Sequence, residues 1–367
     1  MRSAIELEKI IGFGKQLMSN IARELPPEAL ISRMEFEGPF IVIYCKNPQI
    51  LIHNKDIIKN IAKRYKLRVI IRSDEEVRSD EEEAKKIIKR LIPKDAGLAD
   101  IFFNPLSGQV YIEARKPGLV IGKSGALREQ IILQTGWEPV IRRTPPRPSK
   151  IIYYARKFDQ IYYKDIQRFL RRVGERIYRM YILKKNRVRV TILGAGYEVG
   201  GNAFLIETKE SKVLIDAGLR FSGDEFFPYF DFYNSALISE LDAIVVTHAH
   251  MDHVGLVPYL YKYGYRGPTY CTEPTKYLSV LVLRDYINVC ARSGYLAPYS
   301  ASDVDEFLKH CVVLDYDKVY DIAPDVRLTL YNAGHILGSA LVHIHLSLIH
   351  ISEPTRPRLI SYAVFCL

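Results

Sequence analysis

Within six positions the chain sets His248, His250, Asp252 and His253, four side chains able to ligate a divalent metal, just after the apolar run Ala243 to Val246. That run has the length of a buried strand, so the four stand on the turn that follows it, a rigid base that orders them at little entropic cost. Neutral imidazoles with a carboxylate suit a borderline ion such as zinc. One such histidine alone would read as a solvated loop residue, but no core requires three with an aspartate at this density. Upstream, Lys212 to Asp216 reads as another strand, ending in Asp216-Ala217-Gly218.

A second stretch carries different chemistry. Gly122-Lys123-Ser124-Gly125 leads into a helix at Ala126. Its glycines let the backbone approach a sugar-phosphate chain, the helix start offers free N–H groups, and Lys123 adds a charge. An ATP-binding P-loop needs four residues between its glycines, and Gly118 and Gly122 enclose only three, which excludes it. Gly194-Ala195-Gly196, with Asp216 about twenty residues on, has the outline of a dinucleotide turn, but a strand pair follows it rather than a helix.

The net charge of +10 is concentrated. Residues 142–189 hold 16 Lys/Arg against 3 Asp/Glu, so the rest of the chain is slightly acidic. Such a segment is the electrostatic footprint of a polyanion-binding element, or else a solvated linker helix. Helical spacing of Tyr162, Ile166, Phe169, Val173, Ile177 and Met180 predicts one helix over Tyr153–Leu183, with Arg168, Arg171, Arg172, Arg176 and Arg179 on its other faces. Beside the glycine loop, Arg168, Arg171 and Arg172 read as the lining of an RNA path.

The elements that must position these residues fall into an order. A helix over residues 4–25 stops at Pro26-Pro27; a strand Phe40–Tyr44, a helix Lys55–Lys66 and a strand Leu67–Arg72 complete a small α/β unit. A second unit follows with the same rhythm: helix Asp80–Leu91, strands Ala99–Phe103 and Gln109–Glu113, helix Ala126–Thr135 and strand Trp137–Ile141. Thr144 to Lys150, with three prolines, is a stiff basic linker. Strands Val188–Leu193, Ala203–Glu207 and Val213–Ile215 precede the histidine cluster. Beyond it come helices Gly255–Lys262, Thr275–Arg292 and Ser302–His310 and strands Thr269–Cys271, Val326–Tyr331 and Ala340–His345. His310, His343 and His345 read as non-ligands, the last two sharing a strand face. Five cysteines without a Cys-x-x-Cys pair argue against a disulfide framework and a zinc ribbon. No apolar run reaches a membrane span and the start lacks a signal-peptide core, so the protein is expected to be soluble and cytoplasmic, with no membrane partner.

The pattern His-x-His-x-Asp-His resembles the signature of the metallo-β-lactamase fold. Asp216-Ala217-Gly218 resembles that family's first motif, and Asn332-Ala333-Gly334-His335-Ile336-Leu337-Gly338-Ser339 its third. Gly118 to Gly125 resembles the core of a KH RNA-binding domain. The first unit looks like a KH relative whose equivalent turn, near His53-Asn54-Lys55, lacks the glycines. Together these resemble the archaeal member of the cleavage and polyadenylation specificity factor family, zinc ribonucleases of the β-CASP branch linked with RNA 3′-end formation and transcription termination.

The expected architecture is α/β and α+β multidomain: two N-terminal KH-like domains followed by an incomplete metallo-β-lactamase αββα sandwich. Its divisions are 1–73, KH-like with a degenerate loop; 74–143, KH with the Gly-x-x-Gly loop; 144–186, basic linker helix; 187–346, metallo-β-lactamase core; and 347–367, a tail expected to be non-native. The resemblance implies an endoribonuclease, with 5′-to-3′ exonuclease activity as a second mode, acting on single-stranded RNA. It implies two zinc ions, one held by His248, His250 and His335, the other by Asp252 and His253. Asp216 would orient these ligands, and RNA polymerase and a second copy of the chain are expected partners. The family's bridging aspartate, inserted domain and last histidine do not occur in 347–367, so this polypeptide is expected to be weakly active or inactive. The alternative from another class is an RNA-binding module with a vestigial metal site. A small-molecule hydrolase would need neither the glycine loop nor the basic helix.

Overall fold

The computed structural model describes residues 14–179, 187–196, 198–220, 236–346 and 363–366. They fall into two units, one spanning Gly12–Gly174 and the other taking in the chain from Glu175.

The first unit is a structural repeat. Each half runs helix, 3-10 turn, two strands, short helix, helix, strand. In the first half these are residues 14–24, Pro27–Ala29, β1 (Ile31–Glu37), β2 (Phe40–Cys45), Pro48–His53, Lys55–Tyr65 and β3 (Arg68–Ser73). The second half has Glu81–Leu91, Lys94–Ala96, β4 (Leu98–Asn104), β5 (Gln109–Ala114), Pro117–Ile121, Ala126–Thr135 and β6 (Glu138–Arg143), with Lys123–Gly125 as an extra turn. In both sheets the middle strand pairs antiparallel with the one before it and parallel with the one after. Details repeat as well: a left-handed residue enters each first strand (Leu30, φ 52°; Gly97, φ 64°), and each first strand shifts register at its start. Pro48 and Pro117 each open the short helix, where a missing N–H leaves nothing unpaired. The β4–β6 sheet buries Val110, Ile112 and Ala114 with Ile88, Val120 and Trp137 on its helical side.

The two halves are joined by a buried ion cluster. Arg72 of β3 reaches Glu37 at 2.6 Å and Glu138 of β6 at 2.7 Å, and Arg128 meets Glu138 at 3.2 Å.

The basic segment departs from the single helix expected over Tyr153–Leu183. It forms Lys150–Ile161 and Tyr163–Ile177, with Tyr162 out of helical geometry at φ −96°, ψ 16° and its ring 4.4 Å from Phe158. The run Ile161-Tyr162-Tyr163 joins a β-branched residue to two aromatics, all of weak helix propensity, so the break falls there without a proline. Phe169, Val173 and Ile177 are buried as the spacing predicts, whereas Tyr162 is exposed; Met180 and Leu183 lie outside the described residues. Up to Gly174 this segment packs within the first unit. The Gly38 N–H donates to the Leu170 carbonyl, and a Cβ on Gly174 would come 2.3 Å from that of Phe36.

The second unit holds two sheets. The larger contains β7 (Arg189–Gly194), β8 (Ala203–Glu207), β9 (Lys212–Ile215), β10 (Ala243–Val245), β11 (Thr269–Cys271) and β12 (Cys311–Val313), in the order 12-11-10-9-8-7. β9 to β12 are parallel, and β7 to β9 form an antiparallel meander, which removes the βαβ context of a dinucleotide turn. Helices Val257–Lys262, Glu273–Arg292 and Ala301–His310 connect the later strands. The smaller sheet runs β13 (Val319–Ala323), β14 (Val326–Asn332), β15 (Ala340–Leu346), β16 (Ala363–Cys366). The tail set apart in the sequence thus contributes β16, antiparallel to β15; residues 347–362 and 367 lie outside the described residues. Among the described residues no helix is long and apolar enough to cross a membrane.

Candidate metal centre and glycine loop

β9 and β10 are adjacent parallel strands, so the loops leaving their carboxyl ends emerge side by side, where α/β sheets place ligands. β10 is wholly buried and starts from Asp242, whose carboxylate accepts from the Lys212 N–H at 2.8 Å and pairs with Arg176 at 2.9 Å. The first loop holds Asp216 in left-handed backbone (φ 59°) and turns through Gly218, which packs against the loop bearing His250 to His253. The third loop, Asn332 to Ser339, is closed by its own side chains. Ser339 Oγ accepts the N–H groups of His335 and Ile336, and Asn332 Oδ1 accepts that of Gly334. Thr272 and Thr275, at the start of the Glu273–Arg292 helix, both donate to the Gly338 carbonyl, and the Ala340 N–H donates to the Thr247 carbonyl at 2.9 Å.

These loops bring His248, His250 and His335 together. His250 Nδ1 lies 3.1 Å from His248 Nε2 and 3.2 Å from His335 Nε2. A tetrahedral zinc with Zn–N bonds of about 2.0–2.1 Å sets its nitrogens about 3.3 Å apart; both separations from His250 are close to that, and all three donors lie within 4.8 Å of one another. Among the described residues they form the one cluster of three metal-ligating groups. His248 is buried while His250 and His335 are exposed, so the cluster opens toward solvent. Burial first, then the neighbouring His253, His250 and His335, pushes the His248 pKa down to about 4, keeping its ring a neutral donor at neutral pH.

Behind the trio lies a network that fixes the rings. Asp216 accepts from the Thr247 N–H and hydroxyl, both at 2.8 Å, and from His253 Nδ1 at 2.7 Å. Thr247 Oγ1 is 2.9 Å from His248 Nδ1, so with its own proton given to Asp216 it accepts that of His248, leaving His248 Nε2 unprotonated for a metal. Burial disfavours a charged His253, yet the Asp216 hydrogen bond and the charges of Asp216 and Asp252 outweigh it and raise its pKa. Asp252 Oδ2 and His253 Nε2 are 3.6 Å apart, and the Asn202 side-chain amide sits 3.4 Å from the first and 3.1 Å from the second. Asp216 therefore stands behind the ligands, and Asp252 with His253 forms a pair beside the trio.

His310, His343 and His345 stand apart from this cluster. His310 is buried, stacked on Tyr261 with ring centroids 5.2 Å apart, and its Nδ1 lies 2.7 Å from the Glu306 carbonyl oxygen. His343 and His345 share one face of β15, their ring centroids 4.0 Å apart. Thr247 and Asn202 carry no sequence signal of their own, and Ser339 stands in the sequence only as the end of the Asn332–Ser339 motif. Thr247 directly precedes His248 and Asn202 follows Gly200-Gly201, but neither position is informative before the strands are paired.

In the glycine loop, Gly122, Ser124 and Gly125 take positive φ (76°, 55° and 82°). Lys123 and Ser124 are exposed. A Cβ on Gly122 would meet the Leu127 amide nitrogen at 2.8 Å, whereas Gly125 faces open space and needs glycine for its φ alone. The corresponding turn of the first half is Asn54 alone, three residues shorter. Of the three arginines expected to line an RNA path, Arg171 pairs with Glu35 at 2.8 Å and Arg168 with Asp165 at 3.2 Å, while Arg172 is exposed.

Comparison with known proteins bears on both halves of this geometry. The family model described as the KH domain of transcription termination factor FttA matches residues 13–78, and that of the metallo-beta-lactamase superfamily matches residues 196–279. The chain is 45% identical over 331 residues to the transcription termination factor FttA of Methanosarcina mazei. It is 44% identical over 340 residues to that of Pyrococcus horikoshii; each alignment covers 90% of this chain and 52% of the relative. The FttA of a Lokiarchaeum is 42% identical over 336 residues, with the same coverage. The chain spans about half the length of these curated relatives. The first half of the Gly12–Gly174 unit is thus a KH domain, the β7–β16 unit carries a metallo-beta-lactamase segment, and over 90% of its length the chain is a homologue of the FttA transcription termination factors.

Proposed function

We propose that the chain is the RNA-binding and metal-binding portion of a zinc-dependent ribonuclease acting in RNA 3′-end processing and transcription termination. The observation that carries this reading is the convergence of His248, His250 and His335 within 4.8 Å of one another, backed by Asp216 and Thr247, on a chain that also bears a KH domain. A divalent ion bound there supplies Lewis-acid charge to a phosphoryl group. The chain's own residues do the rest. Thr247 and Asp216 hold His248 and His253 in one tautomer, Asp252 offers a carboxylate at the rim, and Gly122 to Gly125 clamp single-stranded RNA. Hydrolysis of the phosphodiester, endonucleolytic or 5′-to-3′, belongs to this proposal, as do a second zinc at Asp252 and His253, RNA polymerase and a second copy of the chain as partners, and a cytoplasmic location.

The second reading, RNA binding with a metal site that does not turn over, is favoured by one observation. The described residues give three clustered donors to the first ion, but only Asp252 and His253 to a second. One tightly bound zinc per chain and weak or no cleavage are therefore expected of this polypeptide. Metal analysis of the purified chain, with cleavage of a labelled single-stranded RNA by wild type and by His248→Ala, decides between them. Zinc-dependent cleavage abolished in His248→Ala overturns the second reading, and a chain that binds RNA but no zinc overturns both.

A further inference from the structure

In the β4–β6 sheet, alternation turns Val110, Ile112 and Ala114 to the core and Gln109, Tyr111 and Glu113 to the opposite face. The Lys150–Ile161 helix lies on that opposite face, fixed by Arg156 to Glu113 at 2.9 Å. Between the first part of this helix, the chain from Arg143 to Ser149 and the residues around Glu113 it leaves a cleft of about 1070 Å³. That is the upper end of the size of small-molecule sites, so it suits a stretch of polymer better than one compact ligand.

The walls of the cleft are unlike the rest of the basic segment. Arg168 and Arg171 are neutralised by Asp165 and Glu35, and Arg156 by Glu113. Arg115, Arg143 and Lys150 line the cleft with no ion-pair partner among the described residues, and Lys157 adds a fourth cation whose only bond is to Gln160. Tyr153 stands 66% exposed among them, with the Lys157 ammonium 5.9 Å from its ring centroid. Pro145, Pro146 and Pro148 form a rigid wall with no N–H to satisfy. Unpaired cations beside an exposed aromatic face are what a single strand of nucleic acid needs, charge for its phosphates and a platform for a base. Arg115 lies two residues before the Pro117–Ile121 helix, whose far end opens at Gly122 about 8 Å along the axis.

We propose that this cleft, on the sheet face opposite the helical core, is a second single-stranded RNA contact that extends the grip of the Gly122–Gly125 loop, with Arg115, Arg143 and Lys150 on phosphates and Tyr153 stacked on a base. The proposal rests on reading that loop as an RNA clamp. The test titrates the full chain with labelled oligouridylates of four and of twelve nucleotides across a range of salt, folding being checked by thermal melts. Arg143→Glu/Lys150→Glu is expected to weaken the twelve-mer at least tenfold and to lower its log–log salt slope by about 1.4, as for two lost phosphate contacts. The tetramer should change less than twofold. Tyr153→Ala is expected to weaken the twelve-mer about fivefold or more, and Lys123→Asp/Ser124→Asp to weaken both oligomers. Unchanged twelve-mer affinity in the Arg143/Lys150 variant, with loss in the loop variant, overturns the cleft and leaves the clamp standing. Loss of the tetramer in parallel with the twelve-mer in the cleft variant also overturns it. Normal binding by the loop variant with loss by the cleft variant overturns the clamp instead, and no RNA binding by wild type removes both.

Discussion

A methyl group on Gly218 would sit 1.7 Å from the Asp252 carbonyl oxygen and 2.7 Å from the His253 amide nitrogen. No side chain can yield there, because both neighbours are backbone of the loop that carries the ligands. Gly218→Ala is expected to destabilise the chain at the upper end of the ~1–3 kcal/mol typical of overpacking. It should also cost at least tenfold in zinc affinity, read by thermal melts and by competition with a chromophoric chelator. Thr247→Val tests the supporting network instead. It keeps the volume but removes the hydroxyl that links Asp216 to His248, so zinc affinity should fall about 10- to 100-fold, and the buried groups left without a partner should lower stability by about 1–3 kcal/mol. An unchanged affinity would mean that the packed loop alone fixes the His248 ring. His248 and His250 are legible in the sequence because no core requires such density of histidine, whereas His335, 82 residues on from His253, is reached only through the resemblance of Asn332–Ser339 to a family motif. Thr247, Asn202 and Ser339 are not legible there, since a threonine, asparagine or serine in a loop acquires a role only when its partner strand is known.

Element by element, the strands and helices that the sequence announces are those with a clean apolar period. β1 is not announced. Its sequence Ile-Ser-Arg-Met-Glu-Phe-Glu mixes three charges into the strand, and the burial of Glu37 is offset by Arg72, which arrives from β3 and also pairs with Glu138 of β6. The same cluster makes the join of the two KH-like halves sensitive to one residue. Arg72→Ala leaves Glu37 buried without its cation and Glu138 with Arg128 alone, and is expected to cost about 3–5 kcal/mol in urea unfolding, whereas replacing Arg72, Glu37 and Glu138 by apolar side chains of similar volume should cost far less. The Ala301–His310 helix ends in another buried titratable group. Burial holds the His310 pKa below the ordinary histidine value, so the folded ring stays neutral after the unfolded one has taken a proton. Its contribution to stability is present above the unfolded value of about 6.5 and is lost as pH falls from there toward the lower folded value. Replacing His310 by glutamine should flatten the slope of stability against pH in that window, and an unchanged slope would place the proton uptake elsewhere.

At the scale of the whole molecule, the concentration of charge in residues 142–189 is legible from counting, but its use is not. The sequence places that segment as a linker between domains, whereas up to Gly174 it packs into the first unit, where acidic groups from β1 and β5 neutralise part of it. Helical periodicity shows that a face is buried without showing against what. The unit boundary at Gly174 and Glu175 then separates the two chemistries, with the glycine loop and the cleft on one side and the histidine trio on the other. Ligands stabilise only the unit that holds them, by an amount set by mass action, about 2.7 kcal/mol at a hundred times the dissociation constant. Calorimetry of the intact chain should therefore show two transitions. Zinc at that saturation should raise one by about 5–10 °C and single-stranded RNA the other by a similar amount, each leaving the other unit's transition in place. A single cooperative transition raised by either ligand would show instead that the two units unfold together, and that metal occupancy and RNA binding are energetically linked.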